Sequence, residues 1–146
     1  MHHTRADFPF LEKLQLTKII YLAPDDPSRS FVSFCADSGI ELLHLGKEQH
    51  KTPWKPISED VVLRTLTHIM EPASYPLAIM CHLGRHRTGT AVGCLRKLQR
   101  WNLASIFEEY RRFAGAKVRP MNEQFIELFD CDLVAIPKIP PKALAL

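Results

Sequence analysis

The segment CHLGRHRTGT, residues 81 to 90, combines residue types that together could attack and hold a phosphate group. Cys81 supplies a thiol, and Arg87 follows it six positions later, between Gly84 and Gly89. Glycines permit the tight backbone that several N–H groups need in order to converge on phosphate oxygens, and a guanidinium can bind two such oxygens at once. The spacing C-x-x-G-x-x-R-T-G therefore predicts a phosphate-binding loop. Its residues are His82, Leu83, Gly84, Arg85, His86, Arg87 and Thr88.

The thiol of Cys81 is the candidate nucleophile. Cysteines at a helix N-terminus among cations are more acidic than free cysteine, whose pKa is about 8.5. We expect Cys81 to attack phosphorus as a thiolate and to form a cysteinyl-phosphate that water then hydrolyses. The alternative is an ordinary buried thiol, which the loop context disfavours. Cys94, inside the apolar segment AVGCL, is predicted to be structural.

The elements around the loop must place it at the edge of a sheet. Apolar, β-branched runs predict strands, and helical spacing of apolar residues predicts helices. The strands are expected over 16–23, 40–46 and 75–81, and the helices over 28–39, 58–70, 88–100, 103–114 and 121–130. This alternation predicts an α/β fold with a mostly parallel central sheet flanked by helices. Cys81 then ends a strand, at the sheet edge where α/β proteins bind ligands.

Length and composition indicate one globular domain, residues 1–146. With 146 residues, 46% of them hydrophobic, the chain can bury one core but is short for two typical domains. The prolines of the last residues, 131–146, predict an irregular tail. No apolar stretch is long enough for a membrane span, and the first residues lack a secretory signal pattern, so we expect a cytoplasmic protein without membrane contact.

Positive charge is concentrated around the loop. Residues 81–119 contain nine Lys or Arg and two acids, a net +7 by subtraction, whereas the whole chain carries +3. This asymmetry predicts an anionic, phosphorylated partner. Nucleic acid is disfavoured because the cations are not interleaved with exposed aromatic residues. No metal or other cofactor is predicted, since the cysteines lack C-x-x-C spacing and His82 and His86 lack a carboxylate or thiolate at ligand spacing.

The loop, written C-x5-R-[ST], resembles that of the protein-tyrosine-phosphatase superfamily. The longer stretch GRHRTGTAVGCLRKLQRWNLASIFEEYRRFAGAKVRPMNEQFIELFD resembles the plant and fungal atypical dual-specificity phosphatases, and FPFLEKLQLTKIIYLAPDDP extends the similarity upstream. The resemblance covers roughly 8–130, the expected core of the domain. It implies a cysteine-dependent phosphatase fold without a metal. It also implies activity on phosphotyrosine-type substrates or on the β-phosphate of inositol pyrophosphates.

The same resemblance suggests roles for residues of the segment GKEQHKTPWKPISED. Lys51 matches a lysine of the family's corresponding loop, and with His50 it is predicted to contact substrate. Superfamily members protonate the leaving oxygen with an aspartate on a mobile loop, for which Asp60 is the candidate and Glu59 the alternative. Both fall in the first turn of a predicted helix, where the helix dipole alone favours carboxylates.

Two departures from the family pattern leave two functions open. Met80 stands where a histidine usually precedes the cysteine, and Arg85 stands where lysine is usual. The favoured function is a phosphatase acting on an inositol pyrophosphate or on a phosphotyrosine or dual-specificity phosphoprotein. The alternative, motivated by Met80, is a catalytically weak module that binds phosphorylated ligands or related phosphatase-like subunits. A small, highly charged substrate uses many cations, which slightly favours the inositol pyrophosphate.

Overall fold

A three-stranded parallel sheet forms the centre of the computed structural model, which describes residues 7–47, 56–81 and 86–146. The strands are β1 (Lys18–Tyr21), β2 (Glu41–His44) and β3 (Leu77–Met80), in the order β2-β1-β3. Ile19 of the middle strand pairs with Leu42 on one side and Ala78 on the other. The predicted α/β architecture with a parallel sheet is confirmed, although each strand is shorter than its apolar run.

Helices surround this sheet within the described part of the chain. They are α1 (Phe8–Lys13), α2 (Arg29–Asp37), α3 (Glu59–Ile69), α4 (Arg87–Leu98), α5 (Leu103–Ala114) and α6 (Pro120–Leu128). Apolar spacing had not identified the short α1, whereas the other five lie within the predicted ranges or within a residue of them. None of the helices in the described ranges is both long and apolar enough to cross a membrane.

The two faces of the sheet are covered by different helices. Ile19 packs in a cluster with Leu11 of α1 and with Phe31 and Cys35 of α2. Ile20, the next residue, belongs to the larger cluster formed with α3, α4, α5 and α6. Successive strand residues point to opposite faces, so the buried run of β1 supplies both cores. The whole of β1 is consequently buried.

Side-chain caps fix where three of the helices begin. Ser28, Ser58 and Asn102 accept hydrogen bonds from the backbone N–H of Phe31, Val61 and Ser105. Each satisfies an N–H that has no partner inside its helix. These caps mark the starts of α2, α3 and α5, and α3 starts where Glu59 and Asp60 occupy its first turn.

The carboxyl ends of the strands are held together by a close backbone approach. The residue that follows β2 by two positions, Gly46, lies against the end of β1, and a Cβ added there would collide with the carbonyl of Leu22. The N–H of Gly46 also donates to the carbonyl of Tyr21 at 3.3 Å. Only glycine permits this contact, which holds Gly46 against the carboxyl end of β1.

Candidate active site

Cys81 lies directly after β3, at the carboxyl edge of the sheet. It is 5% exposed and joins the cluster on the α3–α6 face. The neighbouring strand fixes its position, since the N–H of Leu22 donates to the carbonyl of Met80 at 2.7 Å. Met80 itself packs with the opposite cluster, against α1 and α2. The residue that departs from the family pattern is therefore partly buried and packs against the cluster on that face.

Arg87 is the first residue of α4 and lies close to Cys81. It is half-buried, and its Nη1 donates to the carbonyl of Leu22 at 3.3 Å. Burial lowers the pKa of Arg87, while the negative charge of an ionised Cys81 raises it. The structure thus brings together the two residues that the loop spacing predicted as nucleophile and phosphate-binding group, with the N-terminus of a helix at the same point.

Asp25 also reaches this edge, although it was not among the predicted site residues. It lies in the turn after β1 and is exposed. Its charge raises the pKa of Arg87 and, after burial, also raises that of Tyr21. The next carboxylate, Asp26, instead approaches Lys47 at 3.4 Å. Parallel strands share one carboxyl edge, so the position of PDDP after β1 was a signal that could have pointed to Asp25.

A second arginine, Arg119, acts on the site although it follows α5 in the chain. It is half-buried at the start of α6, and its positive charge lowers the pKa of Arg87. No local pattern marked this residue, because its place beside Arg87 depends on how α5 and α6 pack on α4. Within the described residues, the charges of two arginines, Arg87 and Arg119, therefore meet at the site. Of these two, the sequence had predicted only Arg87.

A buried polar network supports the C-terminal end of the loop. The hydroxyl oxygen of Tyr110 accepts from Asn122 Nδ2 at 2.9 Å and from the N–H of Arg119 at 3.3 Å. Asn122 Nδ2 also lies 3.5 Å from Nδ1 of His86. The ring of Tyr110 packs on Gly89 so closely that a Cβ there would lie 3.0 Å from Cδ2. This network fixes His86, the residue before Arg87, relative to α5 and α6.

Thr88 stands out among the predicted loop residues. Its hydroxyl oxygen is buried and has no hydrogen-bond partner among the described residues. A buried hydroxyl without a partner costs about 1–3 kcal/mol. The side chain therefore has a hydrogen bond available for a loop atom or a bound anion.

The predicted acids, Asp60 and Glu59, are exposed on the first turn of α3. Glu59 borders a shallow cavity together with Phe125 and Met121 of α6. Other predicted site residues lie outside the described part of the chain. They are His50, Lys51, His82, Leu83, Gly84 and Arg85.

The other thiols lie in surroundings that suppress their ionisation. Burial raises the pKa of Cys35 to about 11 and raises that of Cys94 further. Burial also raises the pKa of Cys131, which is partly exposed. In the described ranges, no group of three or more His, Cys, Asp or Glu side chains is arranged to hold a metal ion.

Several cations near the loop in sequence are used to join helices. Arg96 donates to both carboxylate oxygens of Glu109, at 3.0 and 3.2 Å, and Arg111 does the same with Glu123, at 2.7 and 2.9 Å. Lys97 donates to two backbone carbonyls at the end of α6. These three residues account for part of the positive charge that the sequence associated with an anion site.

Comparison with known proteins decides the family. A family model described as "Tyrosine phosphatase family" matches residues 3–144 of the chain. The chain belongs to the tyrosine phosphatase family. Membership confirms the resemblance seen in the loop and in the helices after it, and it confirms a cysteine-dependent phosphatase as the function class.

The names of individual relatives agree with this family assignment. The chain is 68% identical over 134 residues to the probable tyrosine-protein phosphatase DG1060 of Dictyostelium discoideum, covering 92% of this chain and 81% of the relative. It is 43% identical over 125 residues to inositol diphosphatase DSP4 of Arabidopsis thaliana, covering 86% of this chain and 63% of the relative. Nothing in these comparisons favours a phosphatase-like binding module.

A solved structure has the same fold. The core catalytic domain of the PP-IP phosphatase SIW14 from S. cerevisiae superposes with a TM-score of 0.81 at 38% sequence identity. The match covers 88% of this chain and 77% of that one. The small parallel sheet with its helices is therefore the fold of a tyrosine-phosphatase-like catalytic core.

Proposed function

We propose that the chain hydrolyses a phosphate group through attack by Cys81, with Arg87 and the loop from His82 to Thr88 binding the transferred phosphoryl group. The observation that carries this proposal is the interaction between Cys81 and the half-buried Arg87. It occurs at the carboxyl end of β3, within the segment that matches the tyrosine phosphatase family.

The reaction has two steps. The thiolate sulfur of Cys81 forms a bond to phosphorus as the bond between phosphorus and the leaving oxygen breaks, and that oxygen keeps the electron pair. Water then attacks the cysteinyl-phosphate, the sulfur–phosphorus bond breaks, and inorganic phosphate and the thiolate are released. Arg87, the backbone N–H groups of the loop and the N-terminus of α4 stabilise the negative charge in both transition states.

Thr88 belongs to this machinery through its hydroxyl. The oxygen is buried and lacks a partner among the residues that the structure describes. We assign it a hydrogen bond to the loop or to the bound phosphoryl group. That bond would remove the cost of a buried, unsatisfied hydroxyl when the site is filled.

The substrate is anionic and phosphorylated, and we favour an inositol pyrophosphate over a phosphoprotein. Relatives named inositol diphosphatase occur in Arabidopsis thaliana and in rice, and the matched yeast structure is named a PP-IP phosphatase. Two arginines, Arg87 and Arg119, gather at the site. The relative from Dictyostelium is named a tyrosine-protein phosphatase, so an aryl phosphate is the second substrate to test.

We assign the general acid to Asp60, with Glu59 as the alternative. Both are exposed in the first turn of α3, and they belong to the segment GKEQHKTPWKPISED, which corresponds to the loop that carries the acid in superfamily members. Asp25 is a third carboxylate to test, because its charge already acts on Arg87.

The deciding experiment measures phosphate released from an inositol pyrophosphate and from para-nitrophenyl phosphate. The intact protein should release phosphate from both, and Cys81→Ser should release none, because an alcohol is too weak an acid to act as the nucleophile. Cys131→Ser, at a partly exposed cysteine outside the site, is the matched control and should keep full activity. If the intact protein binds these compounds without releasing phosphate, it is the binding module instead.

We also propose that the protein works in the cytoplasm. Its four cysteines are free thiols, and a thiolate nucleophile must stay reduced between turnovers. A fluorescent fusion expressed in its own cells would check this, and accumulation in the secretory pathway would contradict it.

A further inference from the structure

Three successive carbonyl groups at the carboxyl end of β1 are each bound by a different part of the chain. The carbonyl of Tyr21 accepts from two backbone N–H groups of the segment after β2. That of Leu22 accepts from Nη1 of Arg87 at 3.3 Å. The third, that of Ala23, lies 2.7 Å from Nε2 of His44, the last residue of β2. His44 and the phosphate-binding arginine therefore hold adjacent peptide groups.

The hydrogen bond between His44 and Ala23 has a defined direction. A carbonyl oxygen only accepts, so Nε2 of His44 carries a hydrogen and donates it. The other ring nitrogen, Nδ1, lies 3.6 Å from a carboxylate oxygen of Asp26, and the side chain is 15% exposed. The ring also packs edge-on against Tyr21, with 5.1 Å between centroids. These contacts fix the orientation of the imidazole.

The imidazole is not needed to form β2. The strand pairs with β1 through the two backbones, in a register that places His44 opposite Tyr21. The side chain reaches beyond this pair to Ala23, which follows the end of β1 by two positions. Its hydrogen bond therefore acts on the segment after β1, at the same edge of the sheet as Cys81.

A proline makes the peptide groups on either side of Ala23 move together. Leu22 and Ala23 are 0% and 1% exposed, so their carbonyls need partners within the protein. Without the imidazole, the Ala23 carbonyl would gain by turning toward water. Pro24 follows, and its ring fixes φ, so this rotation must be taken up within Ala23. The preceding peptide group then turns as well, and it carries the carbonyl that Arg87 binds.

We propose that His44 is a positioning residue for the phosphatase reaction, which fixes the guanidinium of Arg87 by holding the peptide group next to the one that Arg87 binds. This rests on the proposed role of Arg87 in binding the transferred phosphoryl group. His44 acts through the backbone of Leu22 and Ala23 and needs no contact with substrate. A small displacement of a group that binds the reacting atoms can lower the rate by about 10²-fold.

Kinetics of His44 variants gives the first measurement. His44→Leu removes the donor and keeps an apolar side chain, and should lower kcat/KM by about 10-fold or more. The loss should be equal for para-nitrophenyl phosphate and an inositol pyrophosphate, because both present the phosphoryl group that Arg87 binds. The amide nitrogen of His44→Gln reaches about as far as Nε2, so this variant should recover most of the activity. A loss confined to one substrate would overturn the proposal.

His68→Leu is the matched control, since it makes the same substitution near the opposite edge of the sheet. Nδ1 of His68 lies 3.2 Å from Nζ of Lys18, the first residue of β1. We expect His68→Leu to lower the Tm and to change kcat/KM by less than about 2-fold. If the two leucine variants lost kcat/KM equally, His44 would serve stability alone and the proposal would be wrong.

Asp26→Asn separates the hydrogen bond to Ala23 from the charge beside Nδ1. Asp26 is exposed and also lies 3.4 Å from Nζ of Lys47. Exposed ion pairs contribute little, so Asp26→Asn should keep kcat/KM within about 2-fold. A loss as large as that of His44→Leu would mean that His44 acts through this charge, which would contradict the proposed route through Ala23.

A double-mutant cycle tests whether His44 acts through Arg87. In an Arg87→Lys protein, adding His44→Leu should lower kcat/KM by less than about 3-fold, because the guanidinium that it positions is absent. A merely structural role would give the same fold-loss in both backgrounds. Losses that multiply independently would therefore overturn the proposal.

A crystal structure of the His44→Leu protein decides the same point without any turnover. The distance from Nη1 of Arg87 to the carbonyl oxygen of Leu22 should lengthen beyond about 3.6 Å, where no hydrogen bond remains. A distance unchanged from 3.3 Å would overturn the proposal. If the intact protein released no phosphate, the proposed function would fail, and this distance would still show whether His44 positions Arg87.

Discussion

Arg87 donates from Nη1 to the backbone carbonyl of Leu22 at 3.3 Å, which ties the first residue of α4 to the end of the middle strand. The N–H of the same leucine donates to the carbonyl of Met80 at 2.7 Å, and Cys81 follows Met80 directly. Leu22 therefore fixes both the end of β3 and the direction of the Arg87 side chain. The spacing between nucleophile and arginine is set by β1 as well as by the loop.

Arg87→Lys should be severely impaired although the charge is kept. An ammonium group cannot contact the Leu22 carbonyl and also bind two phosphate oxygens in a plane. We expect kcat/KM for para-nitrophenyl phosphate to fall by about 10²-fold or more, as when one oxyanion donor is removed. Arg100→Lys, at the exposed end of α4, is the control. Normal turnover by Arg87→Lys would mean that Arg87 does not bind the phosphoryl group.

The thiols should react in a fixed order with iodoacetamide. At pH 7 we expect Cys81 to be modified first, and inorganic phosphate to protect it, because it faces the anion site. Cys35 and Cys94 should stay unmodified, since burial raises the pKa of Cys35 to about 11 and that of Cys94 further. Peptide mass spectrometry measures the order, and equal labelling of Cys35 and Cys81 would contradict it.

The raised pKa of Cys35 also predicts how the stability of the fold depends on pH. Its pKa is raised from 9.0 in the exposed chain to about 11 in the fold, so an unfolded chain loses this proton at lower pH than the folded one. The stability that comes from the neutral, buried thiol is complete below pH 9 and is lost as pH rises toward 11. Cys35→Ala should remove that part of the alkaline loss, which denaturant unfolding at both pH values would measure.

Tyr110→Phe should affect both stability and catalysis. It removes the oxygen that accepts from Asn122 Nδ2 and from the N–H of Arg119, leaving two donors without this partner. We expect a loss of about 1–3 kcal/mol in the free energy of unfolding. Because Asn122 also approaches His86 at 3.5 Å, kcat should fall on aryl phosphate and pyrophosphate alike.

Tyr75→Phe is the matched control. The Tyr75 hydroxyl donates to the carbonyl of Ile69 at 2.8 Å, at the end of α3 and near the opposite end of the sheet. Its loss should lower stability by about 0.5–1.5 kcal/mol and leave kcat unchanged. Unfolding curves and steady-state rates of the two variants separate a positioning role from a structural one. If both variants keep full kcat, the network does not position the loop.

The pairing of Cys81 with Arg87 could be predicted because both lie in one short segment. The apolar run before Cys81 and the glycines after it are local signals for a strand, a tight loop and a helix start. Arg119 could not be found in this way, because its place beside Arg87 depends on the packing of α5 and α6 on α4. The only sequence signal for Asp25 was topological, since it follows a strand that shares its carboxyl edge with β3.

The concentration of positive charge in residues 81–119 correctly predicted an anionic substrate, but it included cations that join helices. Arg96 and Arg111 contributed to the predicted anion site, yet each forms a two-pronged ion pair with a glutamate of a neighbouring helix. Net charge along a sequence does not distinguish a cation that faces a ligand from one that joins two helices. Helical spacing could not separate them either, because the paired acids lie on other helices.

The general acid is tested by comparing two leaving groups. Superfamily members that use a general acid protonate the leaving oxygen with it. We assign this role to Asp60, with Glu59 as the alternative. A tyrosine-like leaving group has a pKa of about 10 and needs the proton. A leaving phosphate has a second pKa of about 6 and departs readily without one. The need for an acid should therefore depend on the substrate.

Glu59→Gln combined with Asp60→Asn should slow phosphotyrosine hydrolysis by about 10²–10⁴-fold, the usual range of general acid catalysis. Hydrolysis of para-nitrophenyl phosphate should be slowed much less, because its leaving group is the stronger acid. An inositol pyrophosphate should be slowed much less. Asp25→Asn is the comparison variant, since Asp25 acts on Arg87 from the turn after β1. A large loss on phosphotyrosine in Asp25→Asn, together with full activity in the double variant, would place the acid after β1. Equal losses on phosphotyrosine and the inositol pyrophosphate in the double variant would contradict the leaving-group argument.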